Sequence, residues 1–201
     1  MDAPSVAPAS LPALHPAGKD AGATGAVHAQ LMAHAAGLPN DDLLARMIAS
    51  QAAGQGGLPP GLGLFPPDYA ALLTRHFPGG AAPSPHDRPG FDPEAMPEYA
   101  DLLALLLDHA SDDESARWMA RIVIVASLGG DHLWQDLGLW NRADLTRLMH
   151  ENFPALAAAN DRDMKWKKFL YRQVCEREGI HVCPAPACQV CVDYAKCFAT
   201  E

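Results

Sequence analysis

The chain has 201 residues, of which 49% are hydrophobic, and it carries a formal net charge of −9. The length suits one ordinary domain with flanking segments, or two small domains. The negative charge argues against nucleic acid or an anionic membrane as the main partner, and no stretch approaches the roughly twenty apolar residues of a membrane span. The sequence begins Met-Asp-Ala-Pro, without a basic and apolar leader, so we expect a cytoplasmic protein whose thiols stay reduced.

Residues 1–38 are rich in alanine, proline and glycine. Four prolines recur four positions apart within the first sixteen residues. They forbid a continuous helix there, because proline lacks the backbone donor and its ring clashes with the preceding turn. Since the segment also has little apolar surface to offset the entropy of ordering, we predict a disordered tail over residues 1–38.

A helical domain is predicted over residues 39–201, and residues 39–78 form its first helical unit. Asn40 or Asp41 is a candidate N-cap for the first helix, because apolar residues follow at helical spacing. Pro66 is predicted to begin the second helix, since proline is tolerated in a first turn. Residues 79–97 are rich in proline and are predicted to be a linker.

Residues 98–180 are predicted to be a second helical unit, with apolar residues at helical spacing. Ser111 and Glu114 have the spacing of a capping box, in which the two side chains satisfy the first free amides of a helix. Asn141 and Asn160 each precede an aspartate by three residues, and we expect each to open a further helix. The last of these helices is predicted to end near residue 179.

Two parts of the sequence match each other at an offset of 75 residues. Leu58-x3-Leu62-Gly63-Leu64 recurs as Leu133-x3-Leu137-Gly138-Leu139. Upstream, Ala45-Arg46 recurs at the same offset as Ala120-Arg121. Downstream, with one inserted residue, Asp68 matches Asp144, Leu72 matches Leu148, and Phe77-Pro78 matches Phe153-Pro154. Repeated helical units can bury their apolar faces against each other. The pattern predicts an all-α domain of about seven helices in two related halves, followed by a cysteine-rich loop over residues 181–201.

Four of the five cysteines lie within fifteen positions of that loop, at Cys183, Cys188, Cys191 and Cys197, in the pattern C-x4-C-x2-C-x5-C. Structural zinc sites usually draw two close cysteine pairs from separate turns, and this loop has one such pair. Iron–sulfur clusters spread their thiolates further apart and use short, uneven spacings. We therefore favour an iron–sulfur cluster over zinc, and either metal over disulfides in a reducing compartment.

The helix before the loop carries further candidate residues. Lys165, Lys168 and Arg172 occupy positions i, i+3 and i+7 and so share a helix face. That face could hold an oxyanion or dock an acidic partner, or it could be an ordinary solvated face. Cys175 is a candidate fifth ligand or a small buried hydrophobe, and His181 is a candidate ligand whose spacing does not decide its role.

The cysteine motif is accompanied by three distinctive stretches, Arg117-Trp-Met-Ala-Arg121, Asp131-His-Leu-Trp-Gln-Asp-Leu-Gly-Leu139 and Asp163-Met-Lys-Trp-Lys-Lys-Phe-Leu-Tyr-Arg-Gln-Val-Cys175. In these features, over residues 40–198, the sequence resembles the NifQ proteins of nitrogen-fixing bacteria. The resemblance implies an iron–sulfur protein that carries molybdenum into assembly of the nitrogenase iron–molybdenum cofactor. It also implies that the acceptor is the cofactor-assembly scaffold, acting with the nitrogenase reductase component.

The donor residues suit such a role. Four thiolates can hold a [4Fe–4S] or [3Fe–4S] core, or a cluster with molybdenum at one corner. The sequence shows no nucleophile–base pair, phosphate-binding glycine loop or paired-carboxylate site, so we expect a carrier and not an enzyme. The alternatives are a ferredoxin-like electron carrier and a helical adaptor stapled by zinc.

Overall fold

A computed structural model describes residues 21–92 and 96–177. These residues form nine α-helices, one 3₁₀-helix and no strand, so the all-α prediction is confirmed. The helices are α1 (Ala21–Met32), α2 (Asp41–Ala52), a 3₁₀-helix (Pro60–Gly63), α3 (Pro66–His76), α4 (Tyr99–Asp108), α5 (Glu114–Ser127), α6 (Leu133–Asp136), α7 (Arg142–Asn152), α8 (Pro154–Ala159) and α9 (Trp166–Arg177). Among them, no helix has the length and apolar character needed to cross a membrane.

Helix α1 lies inside the segment predicted to be a disordered tail. It packs against α2, and its Leu31 side chain is only 2% exposed. The His28 ring adds a polar contact, with Nε2 3.0 Å from Asp42 Oδ1. The disorder prediction is therefore wrong for α1. The four regularly spaced prolines on which that prediction rested all precede Ala21, and the packing of α1 against α2 offsets the entropy lost on ordering. Residues 1–20 lie outside the described part of the chain.

Two helix starts lie where the sequence predicts them. Asn141 caps α7, and its side-chain Oδ1 accepts a hydrogen bond from the Asp144 backbone N at 3.0 Å. Pro66 occupies the first turn of α3, where its missing N–H loses no intrahelical partner. Both predictions are confirmed.

The capping box predicted at Ser111 and Glu114 is wrong. Helix α5 begins at Glu114, and Asp113 is its N-cap, with its carboxylate accepting from the Ser115 backbone N at 2.8 Å. The Ser111 backbone N instead donates to the Asn152 carbonyl at 2.8 Å. The Ser111 amide, which the predicted capping box would pair with Glu114, is therefore bonded to the end of α7.

Asn40 occupies the predicted N-cap position of α2 but does not cap it with its side chain, and Asn160 does not open α9. Asn40 precedes α2 with a left-handed φ of 71° and makes no side-chain cap bond, because its amide faces Asn152. Asn160 ends α8, and its side chain bonds both the backbone N and the carbonyl of Met164. Helix α9 consequently begins later than predicted, at Trp166.

The described chain repeats one order of elements in a first half, residues 21–92, and a second half, residues 96–177. Helix α1 corresponds to α4, α2 to α5, the 3₁₀-helix to α6, and α3 to α7. Leu31 of α1 and Leu106 of α4 lie 75 positions apart, and both are buried. Helix α1 therefore belongs to the first half of the duplication and not to a tail.

The corresponding helices α3 and α7 end with the same backbone geometry. Phe77 has φ −133° and ψ 59°, and its N–H donates to the Leu73 carbonyl. Phe153 has φ −135° and ψ 59°, and its N–H donates to the Met149 carbonyl. Both phenylalanine side chains are buried in the core, so the matched Phe-Pro stretches mark equivalent places.

The two halves also contact each other reciprocally, as two units related by an approximate two-fold axis do. Arg46 of the first half donates to Asp144 of the second at 2.7 Å. Arg121 of the second half donates to Asp68 of the first at 2.6 Å. Since Arg46 matches Arg121 and Asp68 matches Asp144, each ion pair is the counterpart of the other.

Two glycines form a second reciprocal contact. Gly63 and Gly138 have φ of +79° and +70°, which favours glycine. A Cβ on Gly63 would lie 2.8 Å from the Val125 side chain, and a Cβ on Gly138 would lie 2.7 Å from Ser50 Cβ. Val125 and Ser50 are themselves 75 positions apart, so the same close approach occurs twice.

A third reciprocal contact joins the start of α2 to the end of α7 and the start of α5 to the end of α3. The Asn40 and Asn152 amides exchange two hydrogen bonds, at 2.9 and 2.8 Å. At the matching positions, His76 Nε2 lies 2.9 Å from Ser115 Oγ. These three pairs of contacts support the interpretation of two related halves.

Candidate metal centre and the helix that leads to it

Most predicted metal ligands follow α9 in the sequence. Cys183, Cys188, Cys191 and Cys197, together with His181, lie outside the described residues. Cys175 is described; it lies on α9 and is 7% exposed. Across residues 21–92 and 96–177, no three His, Cys, Asp or Glu side chains group closely enough to hold a metal ion.

Helix α9 is fixed to the helical core along its length. It packs against α4, and its buried face consists of Phe169, Leu170, Tyr171, Val174 and Cys175. At its C-terminal end, Arg177 donates to Asp108 at 2.7 Å, where α4 ends. Arg177, the last described residue of α9, therefore lies beside the end of α4.

The predicted basic face is divided between the start and the middle of α9. Lys165 precedes the helix, and its carbonyl accepts the Phe169 backbone N at 2.9 Å. Lys168 lies in the first turn and is partly buried. Arg172 is exposed and donates to Glu176 at 2.6 Å. Glu176 thus offsets part of the charge of Arg172, and the docking role of the three residues stays a prediction.

Sequence reasoning missed a buried ion pair at the start of α9. Lys167 Nζ bonds the Asp136 carboxylate, and it also donates to the Gly129 carbonyl at 2.7 Å. The Lys167 and Asp136 side chains are only 14% and 6% exposed. Asp136 also accepts from the Asp131 backbone N at 3.1 Å. The pair joins α9 to α6 and to the turn that follows α5.

Burial acts on both charges of this pair. It raises the pKa of Asp136 above its ordinary value, although the Lys167 ammonium opposes the shift. It lowers the pKa of Lys167, although Asp136 and Asp131 oppose that shift. Desolvation therefore outweighs attraction at both groups, as is common for buried ion pairs. The signal available in the sequence was that Asp136 and Lys167 each lie inside a stretch that carries the family resemblance.

The family model of NifQ matches residues 43–199, which include the ion pair and all four clustered cysteines. The chain belongs to the NifQ family.

Three NifQ proteins illustrate the similarity. The protein from Azotobacter vinelandii is 41% identical over 170 residues, which cover 79% of this chain and 87% of the relative. The protein from Rhodobacter capsulatus is 41% identical over 160 residues, with coverage of 79% and 87%. The protein from Klebsiella pneumoniae is 36% identical over 171 residues, with coverage of 80% and 99%. No solved structure matches the chain.

Membership of the NifQ family implies a role in nitrogen fixation, in the biosynthesis of the iron–molybdenum cofactor. The matched region begins at residue 43, after α1, although α1 completes the first half of the fold. The family match alone would therefore place the start of the domain too late.

A second polar array that sequence reasoning missed joins α2, α3 and α5. His76 Nδ1 lies 2.6 Å from Asp41 Oδ1, and its Nε2 lies 2.9 Å from Ser115 Oγ, which is the connectivity of a catalytic triad. The serine is only 2% exposed, so its hydroxyl is shielded from any substrate. Since the matching Asn40–Asn152 pair has the same place in the other half, we interpret the array as a contact between the halves.

Proposed function

We propose that this chain is an iron–sulfur molybdenum carrier that donates molybdenum to synthesis of the iron–molybdenum cofactor. The observation that carries the proposal is the position of the four clustered cysteines, shortly after a helix that packs against α4, with Lys167 bonded to the Gly129 carbonyl at its start and Arg177 to Asp108 at its end. A ligand segment that starts from a fixed place needs less ordering to bind a cluster. Family membership supports the link to nitrogen fixation.

The donor set suits an iron–sulfur cluster. Cys183, Cys188, Cys191 and Cys197 would hold it, because thiolates are the usual ligands of such clusters. A bound cluster would supply bridging sulfides, which are soft ligands for a molybdenum atom. Cys175 is buried on α9, and we assign it a secondary role at most.

Lys165, Lys168 and Arg172 are proposed to attract an incoming molybdenum oxyanion or to guide docking. Although the chain has a net charge of −9, a local group of cations can attract an acidic partner. Such steering weakens as ionic strength rises, since the screening length falls to about 8 Å at physiological salt. The proposed partners are the cofactor-assembly scaffold and the nitrogenase reductase component, in the cytoplasm.

Single substitutions test the ligand set. Replacing any one of the four loop cysteines by alanine removes a thiolate and is expected to abolish or change the visible spectrum of anaerobically reconstituted protein. Cys175→Ala is the matched control and is expected to keep most of the iron. Equal iron loss in all five variants would show that Cys175 is a ligand of equal rank.

Metal analysis and transfer test the carrier function. The loaded protein is mixed anaerobically with apo-scaffold, reductase and cofactor precursor, without free molybdate, and cofactor formation is followed. Molybdenum transfer supports the proposal. A brown protein that holds iron but never molybdenum would indicate an electron carrier, and a colourless zinc protein would indicate an adaptor.

A further inference from the structure

The ends of α2 and α5 are equivalent places in the two halves, and each receives a cation. Gly54 and Gly129 follow these helices and lie 75 positions apart. Arg88 donates to the carbonyls of Gly54 and Gly56, both at 2.5 Å. Lys167 donates to the Gly129 carbonyl at 2.7 Å. A cation is favourable at both places, because the carbonyls at a helix C-terminus carry partial negative charge.

The two ends differ in one carboxylate. Asp136 accompanies Lys167 in the second half, whereas the matching position in the first half is Gly61, which has no side chain. Since the first half receives its cation without a carboxylate at this position, stabilising the helix end does not explain Asp136. The two cations also lie on different elements: Arg88 lies on a segment without helix or strand, and Lys167 lies on α9.

The surroundings of Asp136 leave the ion pair little freedom. A Cβ on Gly129 would lie 2.2 Å from the Asp136 carboxyl carbon, so any larger residue there would displace the carboxylate. On the other side, the Gly57 backbone N donates to the Asp136 carbonyl at 2.7 Å. Asp136 is thus contacted by both halves, through its backbone carbonyl by Gly57 of the first half and through its carboxylate by Asp131 and Lys167 of the second.

We propose that Lys167 and Asp136 are positioning residues that fix the axis and rotation of α9, and so the point from which the cysteine segment begins. Burying an ion pair is often no more favourable than an apolar pair of the same size, and its best attested use is to specify one arrangement. Because α9 is continuous from Trp166 to Arg177, holding its first turn orients the whole helix. The metal-binding part of this inference rests on the function proposed above.

The test replaces the ion pair by apolar side chains of similar size, in the double variant Lys167→Met/Asp136→Leu. The matched control removes an exposed ion pair before the same helix, in Arg142→Gln/Asp163→Asn; this pair is 2.6 Å apart, with side chains 60% and 78% exposed. Amide hydrogen exchange and the alkylation rate of Cys175, followed by peptide mapping, are measured on metal-free protein. Iron content and the electron paramagnetic resonance spectrum are measured after anaerobic reconstitution.

We expect the double variant to stay folded while exchange across α9 and alkylation of Cys175 rise at least tenfold. Exchange in α2 should stay unchanged, since a general loss of stability would raise exchange everywhere. After reconstitution, we expect a lower iron content or broadened resonances, and wild-type behaviour in the control. Unchanged exchange in α9 together with a wild-type spectrum would overturn the proposal.

The conservative variant Asp136→Asn keeps the inference testable if the double variant does not fold. It retains an oxygen for Lys167 and for the Asp131 backbone N but removes the charge, so we expect the same selective rise in α9 exchange, to a smaller extent. An equal rise in α2 and α9 would contradict a positioning role. If wild-type protein takes up no iron, the proposed function fails, while the metal-free measurements still decide whether the pair holds α9.

Discussion

The first half closes with a segment that has no helix or strand, and the second half closes with a helix. Residues 80–92 carry no helix and return Arg88 to the end of α2, whereas α8 and α9 return Lys167 to the end of α5. The helices before these segments match in order, in burial and in reciprocal contacts. One helical framework is therefore used twice, while the helix that leads to the cysteines occurs in the second half alone.

This comparison indicates which contacts hold the framework and which belong to function. Contacts found in both halves, such as the two Arg–Asp pairs, serve the packing of one half against the other. A feature found in one half alone, such as the Lys167–Asp136 pair, needs a different explanation. Substitutions at matched positions should therefore have similar effects in the two halves, and substitutions at unmatched positions should not.

The largest expected effect comes from removing α1. Deleting residues 1–38 should abolish cooperative unfolding or lower the stability by more than about 3 kcal/mol, because Leu31 is buried against the core and removing one such side chain alone typically costs about 2–5 kcal/mol. Thermal unfolding followed by circular dichroism measures this. The matched deletion of residues 1–20 leaves α1 in place, and equal stability of the two truncated proteins would show that α1 contributes nothing.

The glycine contacts should respond alike in both halves. Gly63→Ala and Gly138→Ala each place a methyl group under 3 Å from a side chain of the other half, at a positive φ. We expect each to destabilise the protein by about 2–4 kcal/mol, from a left-handed alanine and from overpacking. Urea unfolding measures the loss. Gly90→Ala is the control, since nothing lies within 4 Å of its added Cβ, and a loss in one half alone would argue against equivalence.

The reciprocal ion pairs should differ in strength according to burial. The Arg46–Asp144 side chains are 20% and 10% exposed, against 35% and 34% for Arg121–Asp68. Double-mutant cycles to alanine should give a coupling energy of about 1 kcal/mol for the first pair and about 0.5 kcal/mol for the second, since exposure weakens ion pairs. A stronger coupling for the more exposed pair would contradict this ranking.

An effect of similar size concerns Asp42, which matches an arginine, Arg117, in the second half. Burial acts to raise the pKa of Asp42, but hydrogen bonds from Arg147, His28 and Arg46 outweigh it and lower the pKa from 3.8 to about 2. The folded protein therefore gains stability above pH 4 that is lost as the pH falls through 3.8 towards 2. Solvent screening limits the gain to about 1 kcal/mol.

Urea unfolding as a function of pH measures the Asp42 contribution. In the Asp42→Asn variant, the part of the acid sensitivity that belongs to this carboxylate should disappear. If wild type and variant lose stability in parallel between pH 4 and pH 2, the cluster around Asp42 does not contribute.

The sequence alone determined what depends on neighbours along the chain. Helical spacing predicted the all-α class, Asn141 and Pro66 predicted the starts of α7 and α3, and the Leu-Gly-Leu stretches predicted the duplication. The cysteine spacing and the accompanying stretches indicated the family that the comparisons established. These features are local, because caps, periodicity and motifs act over a few residues.

Tertiary structure decided what depends on residues far apart in the sequence. The Ser111 amide bonds Asn152 and leaves the cap of α5 to Asp113, so a distant contact overrode a local signal. Helix α1 is ordered by burial against α2, although its composition resembles a tail. The Lys167–Asp136 pair spans 31 positions, and only packing of α9 on the α5–α6 turn removes both charges from water. No short-range pattern encodes such a pair, since desolvation depends on every element that surrounds it.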